Sequence, residues 1–292
     1  MVSHPKGLAE RFRVESALAE ESARPQSARD DGSVEPLDPG ALAPTVTSQT
    51  ELDDLVVRCD ACPRLVAWRE QVARDRRRAY ADQTYWGRPV PSFGAEDASL
   101  AIVGLAPAAH GGNRTGRMFT GDRAGDVLYA AMYEVGLATA PTATARDDGL
   151  RLIGTRITAP VHCAPPENKP TPAERDRCGS WLRRELELLR PTLRAVVVLG
   201  GFAWQAVFPI LADTRWKVPV PRPRFGHGAR VRLPASDDGP DLAVFGCFHV
   251  SQRNTFTGRL TPAVLRSVLA AAGRAAGLPT VDGEGSSRPT RR

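Results

Sequence analysis

The stretch Leu100-Ala-Ile-Val-Gly-Leu-Ala-Pro-Ala-Ala-His-Gly-Gly-Asn-Arg-Thr-Gly-Arg-Met-Phe-Thr-Gly-Asp122 decides the architecture of this 292-residue chain. Its first five residues, Leu100–Gly104, are a short apolar run ending in glycine, the pattern of a strand buried on both faces. A glycine-rich loop follows, then Gly125–Val135, which reads as a helix. Strand, loop and helix in that order make the first half of a βαβ unit, and the pattern recurs downstream. Strands are expected at Arg156–Thr158, Arg194–Leu199 and Leu242–Cys247, and helices at Pro172–Leu189, Gly200–Phe208 and Thr261–Ala275. Thr171 and Thr261 are N-cap candidates, each followed by proline at the first helical position, and Glu174 completes a capping box. Upstream, residues 50–58 and 64–78 read as helices. Trp216–Gly239, rich in Pro, Arg and Gly, reads as a long loop or an edge hairpin.

Strands alternating with helices predict an α/β fold with a parallel sheet covered on both faces. Ligands bind such sheets outside the carboxyl ends of the strands. The loops after Gly104, Thr158 and Cys247 are therefore expected to meet on one edge. The organisation expected is a disordered tail over residues 1–48, one domain over 49–277 and a second disordered tail over 278–292. No run of 18 apolar residues occurs, and the N-terminus lacks the short apolar stretch of a signal peptide. A cytoplasmic protein without a membrane partner is expected. Net charge is +6, and all but three of the 39 basic residues are arginine, the lysines being Lys6, Lys169 and Lys217. The planar arginine fork suits phosphate. A nucleic-acid partner and a plain solvated surface both fit that charge.

Three segments carry chemistry. In the loop Gly104–Asp122, glycines allow close backbone approach, Phe119 offers a stacking face for a planar base, and Asp122 is the sole carboxylate. The loop matches neither a phosphate-binding G-x-x-x-x-G-K-[ST] nor a clean G-x-G-x-x-G. The second segment, Cys163-Ala-Pro-Pro-Glu-Asn-Lys-Pro-Thr-Pro-Ala-Glu174, holds Asn168, which can donate and accept at once. It reads equally as a proline-rich turn. In the third, Phe248-His-Val-Ser-Gln-Arg-Asn-Thr-Phe-Thr-Gly-Arg-Leu260, His249 can stabilise charge on a leaving group. Ser251, Gln252, Arg253 and Asn254 suit phosphates and groove edges. Of the five cysteines, Cys59 and Cys62 form a C-x2-C pair, a common start to a metal or iron–sulfur site. Cys247 reads as a small core residue.

Together these segments resemble the uracil-DNA glycosylase superfamily. The run A-P-A-A-H-G-G-N-R-T-G-R-x-F-T-G-D is similar to the first motif of its family 5 (type b), and H-V-S-Q-R-N-T-F-T-G-R-L to that family's C-terminal motif. The resemblance covers roughly residues 55–275. It implies a three-layer α/β/α sandwich with a central four-stranded parallel sheet. It also implies a 4Fe–4S cluster on Cys59, Cys62, Cys163 and Cys178, although zinc suits the same four thiolates. By the resemblance Asp122, Asn168 and His249 are the catalytic candidates. Ala106, Pro107, His110, Gly111, Asn113, Arg114 and Phe119 contact the substrate, and Ser251, Gln252, Arg253 and Asn254 grip DNA. The expected partner is double-stranded DNA containing deaminated bases, acted on by a monomer associated with the nucleoid.

This chain departs from many superfamily members at two places. An early carboxylate or amide is replaced by Leu105-Ala106-Pro107-Ala108-Ala109, which moves the water-positioning role to Asp122. An asparagine before the third cysteine is replaced within Ala159-Pro160-Val161-His162. Loss of that reader predicts relaxed specificity, with excision of uracil and of deaminated purines such as hypoxanthine and xanthine. The competing readings are a glycosylase restricted to uracil, a noncatalytic DNA-binding metalloprotein, and a nucleotide-binding metalloprotein unrelated to DNA.

Overall fold

A computed structural model of the chain describes residues 36–281. The tail expectations for residues 1–35 and 282–292 lie outside the described residues. The elements in chain order are α1 (Gln49–Arg58), α2 (Pro63–Asp75), β1 (Phe93–Gly94), β2 (Leu100–Val103), α3 (Arg123–Glu134), β3 (Thr155–Thr158), α4 (Pro172–Leu189), β4 (Ala195–Leu199), α5 (Gly201–Asp213), β5 (Arg230–Leu233), β6 (Leu242–Cys247) and α6 (Pro262–Ala275). Shorter helical turns punctuate the loops.

The sheet runs β1-β3-β2-β4-β6-β5. Its centre, β3-β2-β4-β6, is the expected four-stranded parallel array, with Leu100 opposite both Thr155 and Ala195. Two antiparallel edge strands, β1 on β3 and β5 on β6, make the whole a mixed six-stranded sheet rather than a purely parallel one. The difference has a local cause. β1 is two residues long and offers no periodicity to read. β5 alternates Arg-Val-Arg-Leu inside a segment rich in turn formers, and it is the edge-hairpin arm anticipated there.

The central strands alternate their side chains between two helical layers, as a period of two requires. Leu100, Ile102, Ile157, Val197 and Phe245 pack with Leu128 and Met132 of α3 and Leu265 and Leu269 of α6. Ala101, Val103, Val196, Val198 and Val244 pack with Leu182 and Leu186 of α4 and Val207 and Phe208 of α5. Each buried Val, Leu, Ile, Met or Phe side chain among them contributes about 1.5–3 kcal/mol. Local signals set the helix starts. Thr171 Oγ1 accepts from the Glu174 N–H at 3.2 Å while the Glu174 carboxylate accepts from the Thr171 N–H at 2.7 Å. Thr261 caps α6 in the same sense.

Both domain boundaries extend beyond the expected 49–277. A short helix at Pro39–Leu42 is capped by Asp38, Val46 is fully buried, and the Arg184 Nε–H donates to the Val46 carbonyl at 2.8 Å. At the other end, Leu278 packs on the core and the Val281 N–H donates to the Val135 carbonyl at 3.2 Å. Neither segment carries apolar periodicity, so their order comes from tertiary contacts. Under β3, Arg156 bridges Asp53 of α1 at 2.6 Å and Glu185 of α4 at 2.5 Å. Among the described residues no helix is long and apolar enough to cross a membrane.

Candidate active site

The parallel strands deliver their loops to one edge. There a pocket of about 570 Å³ is lined by Leu105–Ala108, Met118, Phe119 and Asp122 after β2, Ala159 and Asn168 after β3, and His249 and Ser251–Arg253 after β6. This is the size range of small-molecule sites. The expected convergence of Asp122, Asn168, His249, Phe119, Ala106 and Pro107 is therefore found, from three loops far apart in sequence.

The glycines of the first loop serve its own packing. A Cβ at Gly104 would stand 2.8 Å from the Phe119 ring, and one at Gly111 would overlap the Asp122 carboxylate. Phe119 itself has φ +51°, a left-handed conformation uncommon for an aromatic residue. Tyr129 Oη donates to the Met118 carbonyl at 2.9 Å, and the Arg117 guanidinium grips Asp148 through bonds of 2.8 and 2.6 Å. Burial works to raise the Asp148 pKa, but that guanidinium and three backbone N–H groups hold it well below the usual carboxylate range.

Asp122 is the N-cap of α3. Its Oδ1 accepts from the Gly125 N–H at 2.9 Å, and its other oxygen lies against Gly111. Burial raises its pKa against the pull of the helix N-terminal amides. Asn168 and its neighbour Glu167 are both left-handed, with φ +57° and +52°. The Asn168 side-chain amide is exposed and makes no hydrogen bond among the described residues, while its backbone N–H donates to the Pro165 carbonyl at 3.2 Å. His249 is held by its backbone, whose carbonyl accepts from Asn254 Nδ2 at 2.8 Å. Its ring stands 6.0 Å from that of Phe119. Burial pushes its pKa down to about 4, so the imidazole is neutral near pH 7.

Five expected contact residues have other work. Asn113 is fully buried and donates from Nδ2 to the Arg69 carbonyl at 3.1 Å. Arg114, also buried, donates to the carbonyls of His110 and Gly121 and to Gln83, and stacks over Tyr80. His110 pairs with Tyr85 at 3.0 Å, and Gly111 makes room for Asp122. These four shape the loop and lie outside the pocket lining. Asn254 braces His249, and Ser251, Gln252 and Arg253 line the pocket. The sequence reading missed Phe256. It ends the short helix Gln252–Phe256, is 67% exposed, and lies under the Arg123 guanidinium at 5.3 Å. The signal available was an aromatic residue in an otherwise polar loop.

Away from the pocket, Cys59 and Cys62 between α1 and α2, Cys163 after β3 and Cys178 in α4 line one cavity with Leu65, Arg69, His162 and Trp181. None forms a disulfide. Arg69 Nη1 donates to Cys163 Sγ at 3.0 Å and to the Cys59 carbonyl at 3.1 Å, while its Nε finds no partner. The His162 N–H points to Cys178 Sγ at 3.4 Å. Among the described residues no group of three or more Cys, His, Asp or Glu could hold a single ion. A single zinc draws four sulfurs to about 2.3 Å from one centre. Four cysteines around one cavity are a donor set that suits either zinc or a multi-iron cluster. Cys247 is fully buried in the core, as expected.

Residues 91–273 match the family model described as the uracil DNA glycosylase superfamily. The chain is 52% identical over 237 residues to the type-5 uracil-DNA glycosylase of Mycobacterium tuberculosis (strain CDC 1551 / Oshkosh), a match covering 81% of this chain and 85% of that protein. It is 46% identical over 239 residues to the type-5 uracil-DNA glycosylase of Pyrobaculum aerophilum, covering 81% of this chain and 98% of that one. The type-5 uracil-DNA glycosylase of Thermus thermophilus is 46% identical over 220 residues, covering 75% and 94%.

Proposed function

The chain belongs to the uracil DNA glycosylase superfamily, on its type-5 branch, and from that premise we propose how its pocket excises uracil and, beyond uracil, other deaminated bases. The reaction is hydrolysis of the N-glycosidic bond, the opening step of base excision repair. The observation that carries the reading is the convergence of Phe119, Asp122, Asn168 and His249 around one pocket at the carboxyl edge of the sheet.

The target nucleotide leaves the duplex and its base enters the pocket, an unstacking that costs a few kcal/mol, least at mispaired sites. Phe119 stacks on the base. As the C1′–N bond breaks, positive charge grows on the sugar and negative charge on the base. Asp122 stabilises the sugar cation and takes a proton from the attacking water through the oxygen that does not cap α3. His249, neutral at neutral pH, donates a hydrogen bond to the base as its charge develops. Asn168 touches the base edge. Ser251, Gln252 and Arg253 grip the backbone, and Phe256 fills the gap left in the stack. Double-stranded DNA is the partner, and the enzyme acts as a monomer at the nucleoid.

Breadth follows from the lining. Leu105–Ala108 and Ala159 bring no carboxylate or side-chain amide to the base. The side-chain amides in the lining are Asn168 and Gln252, and each can turn either end to a base edge. Hypoxanthine and xanthine share the keto groups that deamination creates, so a pocket whose readers are adaptable amides accepts them with uracil. The test is an excision assay on duplexes carrying uracil, hypoxanthine or xanthine. Release of all three is expected, and release of uracil alone overturns the breadth.

We also infer that Cys59, Cys62, Cys163 and Cys178 hold a 4Fe–4S cluster. When bound it supplies cross-linking of the α1–α2 junction, the loop after β3 and α4. None of the four cysteines lines the base pocket, so a structural role fits. The visible absorption of the purified protein, with iron and sulfide analysis, separates a cluster from zinc.

A further inference from the structure

A second groove of about 490 Å³ lies between α4 and α5 and is lined in part by Pro160. Consecutive residues after β3 line the two, Ala159 the base pocket and Pro160 the groove. Arg175, Arg183 and Arg222 line the groove with Ser180 and Gln205. Arg175 donates to Asp176 at 2.7 Å and Arg183 pairs with Asp213 at 2.6 Å, so their charges are largely offset. Arg222 differs. It and Arg224 are exposed and make no ion pair or hydrogen bond among the described residues.

These two arginines are presented on a fixed piece of chain. Trp204 Nε1 donates to the Pro223 carbonyl between them at 2.8 Å. Phe225, directly after them, packs edge-on to Trp204 at 5.8 Å and lies 6.2 Å from Phe248, the residue before His249. Proline on either side of Arg222 restricts the backbone further. Two uncompensated guanidiniums are thus held on a segment anchored through Phe225 next to Phe248, with Arg222 lining the groove. A guanidinium matches a phosphodiester with two parallel hydrogen bonds, and a cation without a carboxylate partner gains most by displacing counterions from DNA.

We propose that Arg222 and Arg224 clamp the phosphate backbone of the duplex flanking the extruded nucleotide, with the α4–α5 groove receiving the strand beyond the base pocket. The inference rests on the DNA glycosylase reading, and the experiment separates the two. Affinity for an undamaged duplex is measured across a salt series for the wild-type chain, for Arg222→Gln/Arg224→Gln and for Arg222→Lys/Arg224→Lys. Uracil excision is followed in parallel. Each phosphate contact contributes about 0.9 to the slope of log K against log salt. The glutamine variant is expected to lose nearly two from that slope and to raise KM for a uracil duplex, with kcat within about twofold. The lysine variant is expected to keep the slope. A wild-type slope and affinity in the glutamine variant overturns the clamp, whatever the excision result. Absence of excision by the wild-type chain overturns the glycosylase reading, and the slope still decides the clamp.

Discussion

Asp122 and His249 show how environment divides labour between two titratable groups in one pocket. Burial raises the Asp122 pKa, and the α3 amides pull against that rise. Burial lowers His249 to about 4, so it stays a neutral donor over the physiological range. Protonating it would add a second donor but also a buried charge. The expected kcat profile is therefore flat with respect to His249 from pH 8 to about 5 and falls only as pH approaches 4. The linkage has a definite sign. Between about 6.5 and about 4 the unfolded His249 binds a proton that the native one does not, so its contribution to stability falls as pH falls through that window. Urea unfolding of the wild type against His249→Asn at pH 7.5 and 5 checks this: the variant should lose less stability on acidification. At this scale the sequence was informative about identity and silent about direction. Asn113 and Arg114 stand in the decisive motif, yet they face inward. A glycine loop that opens to a ligand and one that folds onto its own side chains need the same residues.

Elements were legible wherever their signals are local. The Thr171-Pro172…Glu174 capping box set the start of α4, and four runs of β-branched and aliphatic residues set the parallel strands. β1 was not legible, because two residues carry no pattern. The Asp53–Arg156–Glu185 seam was not legible either, because it joins α1, β3 and α4 across a hundred residues. Two predictions belong here. Arg117 is 3% exposed and depends on Asp148 to balance its charge. Asp148→Ala should destabilise the fold by about 3–5 kcal/mol by leaving a buried guanidinium unpaired, measured as a lower urea midpoint. Asp148 has its pKa depressed in the native state, so its stabilisation is present above about pH 4 and is lost as pH falls further. At the cysteine cavity, Arg69 is the cation beside Cys163. Arg69→Met should lower iron and sulfide content per chain, while Arg69→Lys retains most of it. Equal content in both variants would show that Arg69 does not support the cluster.

For the whole molecule, one geometric fact organises the rest: parallel strands end on the same edge. The glycine loop, the proline-rich turn and the histidine loop are separated by dozens of residues, and the sheet brings them to one pocket. That convergence was expected from topology alone. The edge strand β1, the ordered segments outside 49–277 and the exposed Phe256 were not, since each depends on contacts rather than pattern. The central claim is that this pocket hydrolyses the glycosidic bond with Asp122 as its carboxylate. Asparagine is as good an N-cap as aspartate, so Asp122→Asn should preserve α3 and the fold while removing the carboxylate. The deciding measurement is single-turnover uracil excision from duplex DNA by wild type and Asp122→Asn, with duplex affinity measured beside it. The account predicts a rate about 10²–10⁴-fold lower in the variant, with unchanged affinity. A variant that binds DNA and excises uracil at the wild-type rate would contradict it.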